Sequence, residues 1–249
     1  MAAADAAEAA RGGRPAPFAG GEELRFELSW LGIVAGTATM RVEPPTSFAG
    51  TPAYRLSTRA VSTPFFSRIF PVDDRLVSWI DARRFRSLRF EKHLREGRKR
   101  SHELVDFDPA QELARFEGRA VPTPPDVLDT LSAFYFVRTL RLEPGTSERL
   151  DVHAGGKNYG LRVDVLSRER IATPFGDRAA LKIEPHQEYE GVFAQRGRVW
   201  IWLSDDANRL PLLLRSSLPI GAITARLVDY RVTPTPGVAA PPIGAAGGG

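Results

Sequence analysis

The densest group of chemically active side chains is a run of basic residues between Arg83 and Arg100. It contains nine Lys or Arg and only two Glu. Arg recognises phosphate and carboxylate groups bidentately, so the run predicts a site for an anionic ligand. The alternative is a solvated sheet face whose charges protect an edge strand from pairing with another chain. The first interpretation gives five ligand-binding residues: Arg89, Lys92, Arg95, Arg98 and Lys99.

A second group of unusual residues is aromatic. Residues 62–73, STPFFSRIFPVD, place three phenylalanines between two prolines. This stretch is too short for a stable helix and too apolar for a solvated loop. It is either a mobile cover over a binding cavity or a satellite hydrophobic cluster under a long loop. The cover interpretation adds Phe65, Phe66 and Phe70 to the predicted ligand-binding residues.

The histidines give no metal-binding pattern. None of them forms an HxxxH or HExxH spacing, although two of them could face each other across a basic hairpin. We therefore predict no metal ion and no other cofactor. The four residues are His93, His102, His153 and His186.

Carboxylates offer an alternative, hydrolytic chemistry, because an acid and a base or nucleophile can together cleave a glycan. Asp is also favoured in turns for backbone reasons alone, and the chain has no G-x-S-x-G, Walker or dinucleotide motif. The sequence therefore predicts no catalytic residue, and enzyme activity stays an open alternative. The candidate carboxylates are Asp73, Asp74, Glu184, Glu188, Glu190, Asp205 and Asp206.

The elements that position these residues are predicted to be strands. Residues 24–30 alternate between apolar and polar side chains, which indicates a half-buried strand. Residues 199–231 repeat this pattern in three runs separated by two turns. About eleven strands at this spacing predict a mainly β fold, either a single antiparallel curved sheet or a half-open barrel.

One helix is predicted inside this sheet, at residues 126–140. Asp126 follows a proline-rich stop and is a suitable N-cap. Apolar residues cover more than half of the helix circumference, so the helix should be buried rather than lie on the surface.

The remaining composition limits the class of protein. Residues 1–20 and 233–249 are rich in Ala, Gly and Pro and are predicted to be a disordered linker and tail around one domain at 21–232. The chain has no cysteine, which excludes disulfides, thiolate metal sites and a cysteine nucleophile. No run approaches the ~20 apolar residues of a membrane helix. Nucleic acid is not a predicted partner, because the basic run lacks interleaved exposed aromatic residues.

The order of parts resembles a known family. The carrying segments are GEELRFELSWLGIVAGTATM, DVLDTLSAFYFVRTLRL, RERIATPFGDRAALKIEP and VWIWLSDDANRLPLLLRSSLPIGAITARLVDYR. Over residues 21–231 they resemble the bacterial domain-of-unknown-function family 3108, and the last segment is similar to periplasmic lipoprotein-carrier folds, in which a curved sheet wraps a helix and an apolar cavity. The resemblance implies an exported protein of the Gram-negative envelope, periplasmic or outer-membrane associated and at most peripheral to the membrane. The N-terminus lacks the charged-then-apolar pattern of an intact signal peptide, so we expect that a signal has been removed.

Three functions follow as hypotheses. The first is a non-catalytic envelope protein that binds an amphipathic or anionic ligand, such as a lipid or polysaccharide, between the phenylalanine segment and the basic hairpin. The second is an enzyme that acts on envelope glycans through carboxylates in the sheet concavity. The third is a structural interaction domain that offers an edge strand to an envelope protein partner. An apolar cavity with a basic rim would favour the first, and two carboxylates about 5–10 Å apart in a pocket would favour the second.

Overall fold

The computed structural model describes residues 16–188, 197–218 and 221–233. Its strands form one antiparallel sheet, and two short helices interrupt them. The strands are β1 (Glu22–Trp30), β2 (Ile33–Val42), β3 (Thr46–Phe48), β4 (Thr51–Ser62), β5 (Asp73–Asp81), β6 (Ser87–Glu96), β7 (Lys99–Asp108), β8 (Leu113–Phe116), β9 (Arg119–Pro122), β10 (Ser147–Ala154), β11 (Lys157–Thr173), β12 (Gly176–Glu188), β13 (Arg198–Ser204), β14 (Pro211–Leu218) and β15 (Gly221–Val232). The helices are α1 (Pro64–Ser67) and α2 (Thr130–Val137).

The sheet is open, with β10 and β9 at its two edges. Its order is β10-β11-β12-β13-β14-β15-β1-β2-β4-β5-β6-β7-β8-β9, and β3 pairs with β4. The predicted mainly β, antiparallel, unclosed sheet is confirmed. The predicted number of about eleven strands is wrong, because the described residues form fifteen. The missed strands β3, β8 and β9 have only three or four residues each, too few to show an alternating pattern.

Within the described part of the chain, no strand pairing joins the edges β9 and β10, but side-chain hydrogen bonds link these two ends of the sheet. The Gly155 N–H donates to Glu103 Oε1 at 3.0 Å, and Asn158 Nδ2 donates to the Pro122 carbonyl at 2.6 Å. The turn between β10 and β11 therefore lies against the hairpins formed by β7, β8 and β9.

The buried helix is shorter than predicted and begins at a different cap. Asp126 has a φ of 57°, which no helical residue adopts, so it cannot start the helix at 126. Asp129 is the N-cap, and its carboxylate accepts the N–H groups of Leu131 at 2.8 Å and Ser132 at 2.9 Å. The prediction of a helix at 126–140 is therefore corrected to Thr130–Val137.

The prediction of a single helix is also wrong. Residues 62–73 contain α1, a four-residue helix with Thr63 as N-cap and Pro64 at its first position. Proline fits there because its missing N–H would have no partner within the helix. No helix among the described residues combines the length and the apolar character needed to cross a membrane.

The core extends into the predicted N-terminal linker. Phe18 is buried, and its ring packs edge-on against Tyr135 of α2 at a centroid distance of 5.1 Å. Phe18, which lies inside the predicted linker at 1–20, therefore packs against the folded domain. Residues 1–15 and 234–249 of the predicted linker and tail lie outside the described residues.

A buried ion pair fixes the C-terminal end of α2. Arg138 donates to both carboxylate oxygens of Glu22, at 2.7 and 2.8 Å, and both side chains are almost completely buried. The same guanidinium donates to the carbonyls of Pro17, Asn208 and Arg209. Arg138 thus ties the helix to the start of the domain and to the turn between β13 and β14.

Candidate functional site

A cavity of about 400 Å³ lies between α2 and the inner face of strands β10–β13. One wall is the helix face formed by Thr130, Ala133, Phe134 and Val137. These positions are three or four residues apart, so their side chains project from the same side of a helix.

Polar contacts hold the two ends of α2. Asp129 accepts hydrogen bonds from the hydroxyl groups of Ser78 at 2.5 Å and Ser87 at 2.6 Å, and Arg138 binds Glu22 at the other end of the helix. These contacts fix the helix towards strands β5, β6 and β1. The helix therefore forms a fixed wall of the cavity.

The strand residues around the cavity separate into a buried floor and a half-exposed mouth. The floor consists of Val163, Ile183, Ile201 and Leu203, which are all buried. The mouth consists of the half-exposed residues Tyr159, Leu161, Pro185 and Val199, together with Phe134 of the helix. The mouth positions lie near the beginning of β11 and β13 and the end of β12. The cavity therefore opens at that end of the sheet.

The lining is chemically suited to hydrocarbon. Among the described residues, only the hydroxyl groups of Thr130 and Tyr159 offer polar side-chain atoms to the cavity, and no charged side chain lines it. The cavity can therefore bury an apolar chain, but it offers no group to stabilise a developing charge. The described part of the chain also contains no cluster of three or more His, Cys, Asp or Glu side chains placed to hold a metal ion.

Two of the predicted ligand-binding residues are in ion pairs. Arg89 Nε lies 2.6 Å from Asp106 Oδ1, and Lys92 pairs with the buried Glu103. The acidic residue stands directly opposite the basic one in the pairing of β6 with β7. An anionic ligand would have to displace these carboxylates.

The structure brings the other six predicted residues together at the tips of neighbouring hairpins. Gly97, in the turn between β6 and β7, contacts the Phe70 ring, and its N–H donates to the Pro71 carbonyl at 2.8 Å. None of the six lines the cavity, so the interpretation of residues 62–73 as a cover over a cavity does not describe this one. The six residues are Phe65, Phe66, Phe70, Arg95, Arg98 and Lys99.

The histidines occupy separate environments. His93 and His102 stack across β6 and β7 with a centroid distance of 4.2 Å, as the sequence suggested. His153 is buried, and its Nδ1 lies 2.7 Å from Asn158 Oδ1. His186 Nε2 lies 3.1 Å from Asp164 Oδ2 on the neighbouring strand.

The carboxylates named as candidate catalytic groups are engaged elsewhere. Hydrogen bonds from Arg59 lower the pKa of Asp73 to about 2, and hydrogen bonds from Arg198 lower the pKa of Glu184. Low pKa values make both carboxyls poor general acids at neutral pH. The others are in ion pairs (Glu188, Asp205), accept backbone N–H groups (Asp74, Asp206) or lie outside the described residues (Glu190).

Sequence reasoning missed the residues that line the cavity. Its floor residues read as ordinary apolar strand positions, and only the three-dimensional packing of four strands against α2 leaves a space between them. One signal was present, since Phe134 belongs to a helix whose apolar surface covers more than half of its circumference. A helix of that kind needs an apolar partner on both sides.

The open antiparallel sheet with its internal helix defines a β-barrel-like protein. Residues 25–228 match the family described as "Protein of unknown function (DUF3108)", which covers most of the chain, so the protein belongs to that family. The resemblance drawn from the sequence is thereby confirmed. A comparison with curated proteins finds no match.

One solved structure supports this fold, and two others are similar to a lower degree. A beta-barrel-like protein of domain of unknown function DUF1849 from Brucella abortus is similar with a TM-score of 0.57 and 8% identity, over 86% of this chain and 98% of that chain. The hypothetical protein CT021 from Chlamydia trachomatis has a TM-score of 0.38 and 9% identity, over 90% of this chain and 93% of that chain. A structure described as a candidate lipoprotein from Parabacteroides distasonis has a TM-score of 0.38 and 9% identity, over 88% of this chain and 99% of that chain.

Proposed function

We propose that the protein is a non-catalytic cell-envelope protein that binds an amphipathic ligand by holding its aliphatic chain in the cavity beside α2. The observation that carries this proposal is the hydrocarbon lining, which includes one face of the helix and the inner face of four strands. A polysaccharide would need many hydrogen-bonding partners, whereas the described lining offers two side-chain hydroxyls. The lining therefore favours a lipid. The envelope location is supported by the resemblance of the sequence to exported proteins.

The size of the cavity supports a ligand with one aliphatic chain. Its volume of about 400 Å³ lies within the range of ~300–1,000 Å³ typical of small-molecule sites. Each buried CH₂ group contributes ~0.8 kcal/mol, so shortening a bound chain by two carbons should weaken binding about tenfold. An apolar space of this kind is also unusual in a protein interior, which is normally packed without large voids.

The test uses the full chain and a dansyl-labelled fatty acid whose emission rises in an apolar environment. We expect saturable binding that unlabelled fatty acids displace, with longer chains displacing more strongly. Ala133→Phe places a ring in the cavity from the helix wall and should weaken binding at least tenfold. Ala179→Phe, at an exposed position of β12, is the matched control and should bind like the wild type.

A folding check accompanies each variant, because Ala133 is buried. If Ala133→Phe does not melt cooperatively, Val199→Trp at the half-exposed mouth replaces it. Wild-type protein without displaceable binding would refute the proposal. Unchanged affinity in the folded cavity variant would do the same, since it would place the bound chain elsewhere.

A further inference from the structure

Three segments at one end of the sheet form a surface that is both apolar and basic. They are the turn between β1 and β2 (residues 30–34), the segment that contains α1 (residues 63–70) and the turn between β6 and β7 (residues 95–100). We call this surface the apex. The ring centroids of Trp30 and Phe66 lie 6.3 Å apart, and Phe70 packs on Gly97, so the three segments are in contact.

Hydrogen bonds hold the α1 segment in place. The Ser62 hydroxyl contacts the Ser67 hydroxyl at 2.7 Å and accepts the Val72 N–H at 2.9 Å. Thr63 caps α1 by accepting the Phe66 N–H, and an isolated bridge joins Val72 to the end of β6. The exposed side chains of the segment therefore project from a fixed backbone.

The apex collects most of the exposed apolar residues of the domain. The described residues include ten exposed large hydrophobic side chains, and seven of them lie here. Trp30, Leu31, Ile33 and Val34 come from the first turn. Phe65, Ile69 and Phe70 come from the α1 segment, with 66%, 72% and 53% of their surface exposed. Single exposed apolar residues are ordinary, but a contiguous group of this kind marks an interaction surface.

Unpaired cations stand beside this apolar group. Arg68, Arg95, Arg98 and Lys99 are exposed, and none of them forms a salt bridge with any described residue. Within the described ranges, the Arg100 guanidinium donates only to the carbonyls of Gly97 and Lys99, at 3.0 Å.

The acidic groups of this region are fewer than the cations. Asp73 pairs with Arg59 and Arg75, and Asp74 accepts the Arg95 N–H at 2.9 Å. Glu96, the last residue of β6, is half-buried and stands opposite Lys99. The exposed charge at the apex is therefore predominantly positive.

A membrane surface fits this combination better than a protein groove does. Trp, Phe and aliphatic side chains enter the boundary between headgroups and acyl chains, while Arg and Lys bind anionic headgroups. The cavity mouth adds a second argument, because it lies near the turns of β10–β13 at the same end of the strands as the apex. The cavity mouth and the apex therefore lie at the same end of the sheet.

We propose that the apex docks on the surface of an anionic lipid bilayer, with its apolar side chains inserted between headgroups and its Arg and Lys on lipid phosphates. The proposal goes beyond ligand binding in the cavity and uses different residues. The two are separable, since docking needs the apex alone.

The test is flotation of the full chain with vesicles, either of pure phosphatidylcholine or with half of the lipid as phosphatidylglycerol. We expect the wild type to float with the anionic vesicles in low salt and to be released as salt rises, because the Debye length shortens from about 10 Å at 0.1 M to about 3 Å at 1 M. Each basic residue near an anionic surface contributes about a fivefold factor. The charge reversals Arg95→Glu, Arg98→Glu and Lys99→Glu together should therefore reduce partitioning at least a hundredfold.

The apolar part has its own variant. Replacing Phe65, Ile69 and Phe70 together by Ser should reduce partitioning at least tenfold and should abolish what binding survives in high salt. Two matched controls carry the same changes elsewhere on the exposed surface: Arg119, Arg141 and Lys157 to Glu, and Leu104, Leu166 and Val228 to Ser. Both controls should float like the wild type.

Several results would overturn the proposal. One is wild-type protein that stays in solution with anionic vesicles at low salt. Another is equal loss of flotation in the controls, which would reflect net charge or general hydrophobicity instead of the apex. A wild type that forms dimers which the Ser variant lacks, without binding vesicles, would assign the apex to a second copy of the chain. Ala133→Phe should float normally, so failure of the cavity proposal would leave the docking result intact.

Discussion

Replacement of Arg138 by Met should test whether the ion pair with Glu22 holds α2 in place. Met keeps much of the side-chain length and removes the guanidinium, with its five hydrogen bonds. The Glu22 carboxylate, whose side chain is 2% exposed, would then be buried without a partner. Removing one partner of a buried pair costs about 3–5 kcal/mol, out of a total stability of roughly 5–15 kcal/mol.

Urea unfolding followed by tryptophan fluorescence measures this loss. With a slope of ~3 kcal/mol per molar urea, the midpoint should fall by about 1–2 M. Arg141→Met is the matched control, because Arg141 pairs with Glu143 while 80% of its side chain is exposed. Exposed pairs contribute ~0–1 kcal/mol, so the control midpoint should hardly move.

A double variant separates the charge from the packing. Glu22→Met with Arg138→Met removes both charges and leaves an apolar pair, which is often as stable as the buried ion pair it replaces. We therefore expect the double variant to be more stable than Arg138→Met alone. An Arg138→Met midpoint within experimental error of the wild type would refute the claim that this pair stabilises the helix.

The remaining predictions concern single side chains. Phe18→Ala should destabilise the domain by about 3–5 kcal/mol in urea, as buried Phe truncations do, whereas Phe65→Ala at the exposed apex should change stability by less than ~0.5 kcal/mol. Asp129→Ala removes the helix cap and leaves buried hydroxyl groups without an acceptor, so it should lower the free energy of unfolding by about 1–3 kcal/mol. Loss of the helix signal at a lower temperature would show this effect. Asp73→Asn tests the pH dependence of stability. Arg59 lowers the pKa of Asp73 from 3.8 to about 2. The pair therefore stabilises the fold fully above pH 3.8, and this contribution is lost as the pH falls through 2. The variant should melt below the wild type at pH 7, by under ~1 kcal/mol for an exposed pair, and should match it near pH 2.

The long strands were predictable because their side chains alternate. In β1, Leu24 and Phe26 are buried while Arg25 is exposed, as the pattern required. The short strands β3, β8 and β9 carry no such signal, and they form because a neighbouring strand already presents unpaired backbone groups. Pattern reasoning therefore predicted the class of fold better than the number of strands.

The start of α2 was only weakly indicated by the local sequence. Asp126 and Asp129 are both suitable N-caps by residue type, and the local difference is Ser132, whose hydroxyl accepts the Asp129 N–H in a capping box. The selection also comes from strands β5 and β6, whose Ser78 and Ser87 donate to the Asp129 carboxylate. A tertiary contact thus helps to decide a local boundary. The buried carboxyl remains costly to ionise, and burial raises the pKa of Asp129.

The sequence could partly have predicted which of the basic residues form ion pairs and which stay exposed. A turn at Gly97 places Lys92 opposite Glu103 and Arg89 opposite Asp106, because residues at equal distances from a hairpin turn pair with each other. Applying that rule to the sequence would have removed Arg89 and Lys92 from the site. Next to the turn, Arg95 stands opposite Arg100, and Lys99 stands opposite Glu96 but forms no salt bridge with it. Both of these cations stay exposed.

The cavity and the fixed helix together make a prediction about ligand-dependent stability. A ligand that binds only the folded protein stabilises it by ~2.7 kcal/mol at one hundred times its dissociation constant. A fatty acid should therefore raise the melting temperature of the wild type and leave Ala133→Phe unchanged. Arg138→Met should melt earlier than the wild type but gain a comparable increment from the ligand, because Arg138 does not line the cavity. If fatty acid stabilised Arg138→Met markedly less than the wild type, the ion pair would be needed to form the cavity as well as to hold the helix.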